Sequence, residues 1–387
     1  MKSVLSIQSH VVHGYVGGRA AIFPLQTQGW EVDNINTVHF SNHTGYGHFT
    51  GQTLDRNELA SILNQLINKL HIEYTAVITG YVPNAELISC IREYIVDMKG
   101  KSGNECGKNG GECNGTASSD ASNAFTFSQL IYLMDPVMGD NNYMYVDQSC
   151  VDEYRKLSHS GIVDIITPNQ FELELLVDTK ITNRETLQNS ILQLHNQCHI
   201  PYIVITSVES QVINPNSTAS QDDNYIYCII STKSTSASDA QMRMFQIPTI
   251  KSYFTGVGDL FSALLLDKFV ANNVSGSSDA YDKLSRLSKS VNQVLTIMAR
   301  TLKLTHKLGM QQARSALSHS NKSFQVEKHT GSDENGATVD VNTVSKEEEI
   351  VGKINDGETM KYFELKVIQA KEFYNYDGDG EFKEMKL

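Results

Sequence analysis

The sequence has few of the features that mark a secreted or membrane-bound protein. Six cysteines in 387 residues, with no C-x-x-C pair, do not form a disulfide framework. No apolar run approaches the ~18 residues that span a bilayer. Gln8 and His10 interrupt the first apolar run before a signal-peptide core could form. We therefore expect a cytoplasmic protein, with no membrane partner and with access to the nucleus left open.

Basic residues are also in short supply. The chain has 32 Lys and Arg against 44 Asp and Glu, a formal net charge of -12, and a nucleic-acid surface needs clustered Lys and Arg. Residues 331–387 hold 14 acidic and 7 basic residues, so -7 of the -12 lies there and -5 in the rest. We therefore expect no nucleic-acid partner, and the acidity belongs mostly to the C-terminal part.

The hydrophobic pattern predicts an α/β fold with a mostly parallel central sheet, because short β-branched runs alternate with helical patterns. The length exceeds the ~250–300 residues at which one core usually stops growing. One large domain with appendages, or two domains, is therefore expected. Predicted strands lie at 4–7, 37–40, 76–79, 130–134, 162–166 and 202–205. Predicted helices lie at 19–26, 58–70, 85–98, 150–157, 182–199, 259–270 and 291–302.

Several polar segments interrupt this pattern. Residues 99–127 predict a disordered insertion, because the alternation of strands and helices resumes after them. Residues 209–240 indicate a variable hairpin or loop around a short strand at 225–230. We predict one domain over 1–306, a polar disordered segment over 307–359 and a solvated acidic tail over 360–387 with one strand-like stretch at 363–368.

Three motifs are rejected. Gly100-Lys101-Ser102 resembles the end of a P-loop, but Ile95 stands where the first glycine belongs. The segment 375–380 imitates a calcium loop, yet Lys386 occupies the position of the closing Glu. His195, Cys198 and His199 lack a fourth zinc ligand and are interpreted as helix-surface residues.

The informative polar segments each follow a predicted strand or open a helix. They are Asp135-Pro-Val-Met-Gly-Asp140, Thr167-Pro-Asn169-Gln-Phe-Glu172, Thr206-Ser207 and Gly256-Val257-Gly258-Asp259. In an open α/β sheet the carboxyl ends of parallel strands share the edge where ligands bind. We therefore expect these groups to converge there.

The segment from Gly256 to Asp259 predicts a phosphate cradle. Two glycines let backbone N–H groups approach an anion at the positive end of a helix. Asp259 would then accept a proton from a substrate hydroxyl. The alternative is an ordinary helix start with Asp as its cap.

The other carboxylates also have two interpretations. Asn169 and Glu172 have the spacing of a capping box, and Asp135 and Asp140 suit turns beside Pro136 and Gly139. The same oxygens could instead hold Mg²⁺ against phosphate oxygens, directly or through water.

Taken together, these segments resemble the pyridoxal kinases of the ribokinase-like superfamily. The motifs are Ser6-Ile-Gln-Ser-His10, Phe40-Ser-Asn-His-Thr44-Gly-Tyr-Gly, Thr79-Gly-Tyr81, Asp135-Pro-Val-Met-Gly-Asp140, Ile166-Thr-Pro-Asn-Gln-Phe-Glu172 and Gly256-Val-Gly-Asp259-Leu-Phe. The likeness covers roughly 1–98, 128–208 and 242–303. It implies a three-layer α/β/α fold, a homodimer, and transfer of the γ-phosphate of ATP to the 5'-hydroxyl of pyridoxal, pyridoxine or pyridoxamine.

The resemblance also implies residue roles. Asp259 would be the catalytic base, beside the backbone of Gly256, Val257 and Gly258. The vitamer would be bound by Ser9, Val16, Phe40, Thr44 and Tyr81. ATP would be bound by Asp140, Tyr145, Asn169, Glu172, Thr206 and Ser207. Asp140 and Glu172 would hold a divalent cation, magnesium or zinc, and Asp135, Thr167 and Thr206 a monovalent one, potassium.

Val257 departs from the pattern, because animal relatives carry Thr there; only its backbone N–H could contact a phosphate. Gly18 replaces a larger polar residue. Three other functions compete: a hydroxymethylpyrimidine (phosphate) kinase, a sugar kinase, and a silent protein that binds pyridoxal phosphate. The first would typically carry Cys at position 259, and the second would lack Asn42-His-Thr-Gly-Tyr46.

Overall fold

A computed structural model describes residues 1–105, 130–215, 224–233, 240–274, 283–319 and 350–387. The strands are β1 (Lys2–Val11), β2 (Trp30–Phe40), β3 (Gly51–Thr53), β4 (Ala76–Thr79), β5 (Ile131–Met134), β6 (Gly139–Asp140), β7 (Tyr143–Met144), β8 (Ile165–Ile166), β9 (Tyr202–Glu209), β10 (Tyr225–Thr232), β11 (Gln241–Pro248) and β12 (Glu384–Lys386). The helices are α1 (Gly18–Thr27), α2 (Arg56–Leu63), continued by a π-helix (Asn64–Lys69), α3 (Ala85–Glu105), α4 (Gln148–Ser158), α5 (Gln170–Val177), α6 (Arg184–Gln197), α7 (Ser210–Ile213), α8 (Val257–Val274), α9 (Lys283–His319), α10 (Gly357–Met360) and α11 (Lys371–Tyr374), with a 3₁₀ turn at Thr44–Tyr46.

Within the described part of the chain, ten strands form one sheet in the order β12-β11-β10-β9-β8-β5-β4-β1-β2-β3. Strands β2, β1, β4, β5, β8 and β9 are parallel neighbours. The outer pairings are antiparallel. The carboxyl ends of the central strands therefore lie along one edge, as the sequence predicts.

Helices cover both faces of the sheet. In β1, Leu5 and Ile7 join a buried cluster with helices α2 to α6 on one face, whereas Val4 joins the opposite cluster with α1, α8 and α9. This division follows from the alternation of side chains along a strand. The predicted three-layer α/β/α architecture is confirmed.

The observed bounds of helix α3 and of strands β10 and β11 differ in part from the predicted bounds of the polar segments. The helix continues to Glu105, so the prediction of disorder is wrong for 99–105, and 106–127 lies outside the described residues. Strands β10 and β11 pair antiparallel, as expected of a hairpin. Residues 216–223, before β10, and residues 234–239, between β10 and β11, lie outside the described residues.

Helix α9 is longer than the periodicity predicts. It has 37 residues and ends at His319, so 307–319 is helical and the prediction of disorder is wrong there. Residues 320–349 lie outside the described residues, and α10 occupies part of the remainder. In the ranges that the structure describes, no helix is both long and apolar enough to cross a membrane.

The C-terminal segment is packed against the domain, so the prediction of a solvated tail is wrong. Residues 363–368 form no strand; Phe363, Leu365 and Val367 are buried in an irregular segment of bends and turns. Farther on, Asn292 Nδ2 donates to the Phe382 carbonyl oxygen at 2.8 Å, and β12 pairs with β11. The segment contributes apolar side chains to the same core cluster as α8 and α9.

His195 and Cys198 are buried, so the interpretation of both as surface residues is wrong. The His195 ring nitrogens lie 2.7 Å from the Ile200 carbonyl oxygen and 2.7 Å from Ser231 Oγ. Both nitrogens therefore have protein partners, and the ring has a structural role between α6 and the sheet. His199 is exposed, as predicted.

We expect His195 to make folding stability depend on pH. Burial lowers its pKa to about 4, below the ordinary value of about 6.5. A lowered histidine pKa means that the unfolded chain binds the proton first, so stability falls as pH drops from about 6.5 toward 4. The loss is roughly 3 kcal/mol. Urea unfolding of wild type and His195→Gln at pH 7 and pH 4.5 measures it.

The variant should be less stable at pH 7 and should lose less stability on acidification. His48→Gln, at an exposed site, should show the wild-type pH dependence. Equal acid sensitivity of wild type and His195→Gln would contradict the assignment.

Candidate active site

The predicted site residues divide between two stretches of the same sheet edge. Ser9, Phe40 and Tyr81 lie at or just after the ends of β1, β2 and β4, with Thr44 in the 3₁₀ turn after β2. Asp135 and Thr167 directly follow β5 and β8, and Thr206 lies within β9, beyond the residues that pair with β8. Because β4 and β5 are neighbours, the two stretches are continuous. We call them the β2-β1-β4 side and the β5-β8-β9 side.

Asp259 lies in the first turn of α8, where loops from the β2-β1-β4 side converge. The backbone N–H of Gly17 donates to its carboxylate. A Cβ placed on Gly80 would lie 3.3 Å from Asp259 Oδ1, so the loop after β4 also approaches it. Asp259 further interacts electrostatically with Asp135 of the β5-β8-β9 side. It therefore lies at the boundary between the two sides.

The backbone conformation before α8 requires glycine at position 256. Its φ is +74°, and a Cβ there would lie 1.9 Å from the Tyr15 carbonyl oxygen. Only glycine tolerates both the left-handed conformation and this approach. The start of α8 is thereby packed against the loop after β1, with the N–H groups of its first turn free of intrahelical acceptors.

Burial controls the charge of Asp259. Desolvation raises the pKa of the carboxyl above its ordinary value, and the hydrogen bond from Gly17 offsets part of the rise. From the helix dipole alone one would expect a lower pKa, so desolvation outweighs the dipole. A raised pKa brings the carboxylate closer to the proton affinity that suits a general base at neutral pH.

Asp135 is buried and connected to Thr167 through Ser262. Ser262 Oγ donates to Asp135 Oδ2 at 3.1 Å and lies 3.0 Å from Thr167 Oγ1. Desolvation, followed by the charge of Asp259, raises the pKa of Asp135 to about 8. The structure thus brings together two of the three residues predicted to hold potassium. The third, Thr206, donates its backbone N–H to the Pro168 carbonyl oxygen at 2.9 Å.

Glu172 and Asn169 form the capping box that the sequence allows. The Glu172 carboxylate accepts N–H groups from Asn169 at 2.9 Å and from Met138 at 3.0 Å. Burial, then the charge of Asp135, raises the pKa of Glu172 well above its usual range. Asn169 Nδ2 donates to the Gly139 carbonyl oxygen at 2.8 Å, which attaches the β6–β7 hairpin to the end of β8.

That hairpin presents Asp140 and Tyr145. Asn141 and Asn142 both have positive φ, which suits a two-residue turn, and the Asn141 N–H donates to Asp140 Oδ1 at 2.9 Å. Burial raises the pKa of Asp140.

Two further residues predicted to contact ATP are partly exposed. Tyr145 is 40% exposed, and its hydroxyl interacts with the hydroxyl of Tyr253. Ser207 is half-buried beside Thr206.

A divalent cation would find few protein ligands here. Within the described ranges, no group of three or more His, Cys, Asp and Glu side chains is arranged to hold a metal ion. Magnesium in phosphoryl-transfer sites is commonly bound by one or two carboxylates plus the substrate phosphates. Asp140 suits that role, whereas the two Glu172 oxygens already accept backbone N–H groups, so Glu172 is better suited to act through water.

The β2-β1-β4 side offers apolar surface with a few polar groups. Ser9 and Val16 are buried, and Phe40 packs on Phe49 with ring centroids 4.8 Å apart. Thr44 is exposed and Tyr81 is half-buried. This composition suits a flat, mixed-polarity ligand.

Three residues in or near the site were not predicted from the sequence. Gln8 is fully buried, and both polar atoms of its amide lack a hydrogen-bond partner in the described structure. Its polar side chain within an apolar strand is a signal that could have been recognised. Ser262 could have been found as one helical turn after Asp259. Glu364 belongs to the segment that we had interpreted as a solvated tail.

Comparisons with known proteins give a consistent result, although no protein-family model matches the chain. BUD16 of Saccharomyces cerevisiae, which carries a provisional pyridoxal kinase name, is 38% identical over 79% of this chain and 85% of its own. Bovine pyridoxal kinase is 37% identical over 68% of this chain and 76% of its own. The structure of Leishmania donovani pyridoxal kinase with ADP and pyridoxine superposes with a TM-score of 0.62 and 28% identity, over 78% of this chain and 90% of that one.

Proposed function

The chain belongs to the pyridoxal kinase family, and we propose that it transfers the γ-phosphate of ATP to the 5'-hydroxymethyl group of pyridoxal, pyridoxine and pyridoxamine. The observation that carries this proposal is the position of Asp259. It lies between a side suited to a flat aromatic ligand and a side rich in carboxylates, where a hydroxyl and a phosphate would have to meet.

In this proposal Asp259 takes the proton of the 5'-hydroxyl. The freed oxygen forms a bond to the γ-phosphorus, the bond from that phosphorus to the β–γ bridging oxygen breaks, and ADP leaves with the electron pair. The N–H groups of Gly256, Val257 and Gly258 face the transferred phosphoryl group at the positive end of α8. The pKa of Asp259, raised by burial, supports its role as the proton acceptor.

The β5-β8-β9 side would bind the nucleotide. Tyr145, Asn169, Thr206 and Ser207 would contact ATP, and Asp140 would hold a divalent cation directly with Glu172 behind it. Such a cation supplies charge neutralisation for the phosphates. Asp135, Thr167 and Thr206 would hold potassium; the hydrogen bonds through Ser262 support the first two.

The β2-β1-β4 side would bind the vitamer, with Ser9 at the polar edge of the pyridine ring. Thr44 would contact another ring substituent, and Val16, Phe40 and Tyr81 would supply apolar surface. The burial of Val16 and the half-burial of Phe40 and Tyr81 support these roles.

Ser9→Ala tests the vitamer side. Loss of one neutral hydrogen bond should weaken vitamer binding by ~0.5–1.5 kcal/mol, with ATP affinity little altered. Initial-rate kinetics at varied pyridoxal and varied ATP measure both constants. Ser3→Ala, on the same strand at its far end, is the matched control. Equal weakening of ATP would place Ser9 on the wrong side of the site.

One assay tests the proposed activity against its rivals. ATP consumption should be stimulated by pyridoxal, pyridoxine and pyridoxamine and not by hydroxymethylpyrimidine. Stimulation by hydroxymethylpyrimidine alone would favour the kinase of that substrate. Tight binding of pyridoxal phosphate without ATP turnover would favour the silent binding protein.

We further propose a cytoplasmic homodimer built on a kinase domain over 1–306, with the C-terminal segment as a packed appendage. The family resemblance supports the dimer, and the contacts of 363–387 with α9 and β11 support the appendage. Light scattering of the purified protein measures the oligomeric state; a monomer at micromolar concentration would contradict the dimer.

A further inference from the structure

Glu364 is a buried carboxylate that accepts three hydrogen bonds from three separate parts of the chain. The Tyr15 N–H donates to Oε2 at 2.9 Å, the Tyr46 hydroxyl to Oε1 at 2.7 Å and the Thr255 hydroxyl to Oε2 at 3.2 Å. None of the three donors is a cation. A buried carboxylate is costly unless its oxygens are satisfied, so these bonds determine its position and that of its donors.

Each donor belongs to a segment that the proposed reaction needs. Tyr15 precedes Val16, and its carbonyl oxygen packs against Gly256. Tyr46 ends the 3₁₀ turn that begins at Thr44. Thr255 directly precedes Gly256. We call the 3₁₀ turn Thr44–Tyr46, which is proposed to contact the vitamer, the vitamer loop. The Glu364 side chain thus contacts the vitamer loop, the loop after β1 and the residue that precedes the phosphate cradle.

Neighbouring backbone bonds reinforce this arrangement. We call residues 350–365 the C-terminal strap. The Asn355 N–H donates to the Gly45 carbonyl oxygen at 2.8 Å, and the Tyr253 N–H donates to the Gly352 carbonyl oxygen at 3.0 Å. The strap therefore contacts both the vitamer loop and the segment before the cradle through backbone hydrogen bonds. Glu364, also on the strap, hydrogen-bonds to both of them through its side chain.

We propose that Glu364 is a positioning residue, which couples the vitamer loop around Thr44–Tyr46 to the phosphate cradle at Gly256. This inference rests on the proposed function, because it concerns the same site. The hydrogen bond from Tyr46 connects Glu364 to the vitamer loop, and the hydrogen bond from Thr255 connects Glu364 to the cradle. Glu364 contacts neither substrate itself.

Three variants distinguish the hydrogen bond from Tyr46 to Glu364 from the hydrogen bond from Thr255 to Glu364. Tyr46→Phe removes only the bond on the vitamer side and should raise the KM for pyridoxal roughly tenfold, with kcat within twofold of wild type. Thr255→Val removes only the bond on the cradle side and should lower kcat roughly threefold to tenfold. Glu364→Met removes the acceptor of all three bonds at nearly the same side-chain length and should change both constants.

Non-additivity is the signature of coupling. In the Glu364→Met background, Tyr46→Phe should have almost no further effect on the KM for pyridoxal, because the carboxylate that accepts the Tyr46 hydroxyl is already lost. Glu358→Gln is the matched control: Glu358 lies on the strap, is exposed and forms an ion pair with Lys361. It should leave both constants unchanged.

Two results would overturn the proposal. One is a set of folded variants with lower melting temperatures and wild-type kinetic constants, which would leave Glu364 a purely structural role. The other is a full tenfold effect of Tyr46→Phe in the Glu364→Met background. If Glu364→Met does not fold, unchanged kinetics in Tyr46→Phe would still overturn it. A wild type inactive on every vitamer would instead refute the proposed function.

Discussion

Asp259→Asn should lower kcat by roughly 10² to 10⁴ and leave ATP affinity largely intact. Asparagine keeps the shape and still accepts the hydrogen bond from the Gly17 N–H, but it cannot take a proton from the substrate. Because Asp259 lies at the boundary of the two sides, its loss should affect the chemical step more than binding. Steady-state kinetics with pyridoxal and calorimetric titration with ATP measure the two effects.

The pH dependence gives a second signature of the same residue. Activity should fall as pH drops through the pKa of Asp259, because the protonated acid cannot serve as a base. Since burial raises that pKa, the acid limb of the kcat/KM profile should lie above the range of an ordinary aspartate, which is about 3.9. Asp152→Asn, an exposed residue of α4, should show the wild-type rate and profile.

Gly256→Ala should lower kcat/KM by at least roughly 10² and lower the melting temperature. The new Cβ would lie 1.9 Å from the Tyr15 carbonyl oxygen, so either the loop after β1 or the start of α8 must move. Movement of only ~1 Å in a catalytic arrangement can cost on the order of 10²-fold in rate. The same shift would disturb Val16 and the Gly17 N–H that donates to Asp259.

Gly29→Ala is the matched control for this substitution. Gly29 also has positive φ, +79°, but no atom of the described residues lies within 4 Å of its added Cβ. It should cost about 1–2 kcal/mol of stability through the left-handed backbone alone, with kcat/KM unchanged. Similar activity losses in both variants would show that the backbone conformation, and not the contact with Tyr15, limits substitution at Gly256.

The position of Asp259 was predictable because its signals are local. Two glycines before a helical pattern indicate the cradle, and alternating strands and helices place it at the edge where ligands bind. Its pKa direction was not predictable from the sequence. The helix dipole can be inferred from a motif, whereas desolvation depends on loops after β1 and β4 that come together only in the fold.

The C-terminal segment shows why longer-range features were missed. Phe363, Leu365 and Val367 alternate with polar residues, which imitates a strand. Their burial comes from packing against distant helices, a contact that no local pattern reveals. Glu364, the polar residue between them, could not be recognised as a partner of Tyr15, Tyr46 and Thr255 while the segment was interpreted as a solvated tail.

The account depends most on proton transfer to Asp259, and single-turnover kinetics test it directly. With enzyme in excess over pyridoxal and ATP saturating, the rate of pyridoxal 5'-phosphate formation reports the chemical step without product release. We predict that a folded Asp259→Asn protein that binds ATP forms the product at least roughly 10²-fold more slowly than wild type. Formation of pyridoxal 5'-phosphate at the wild-type rate by that variant would contradict the account.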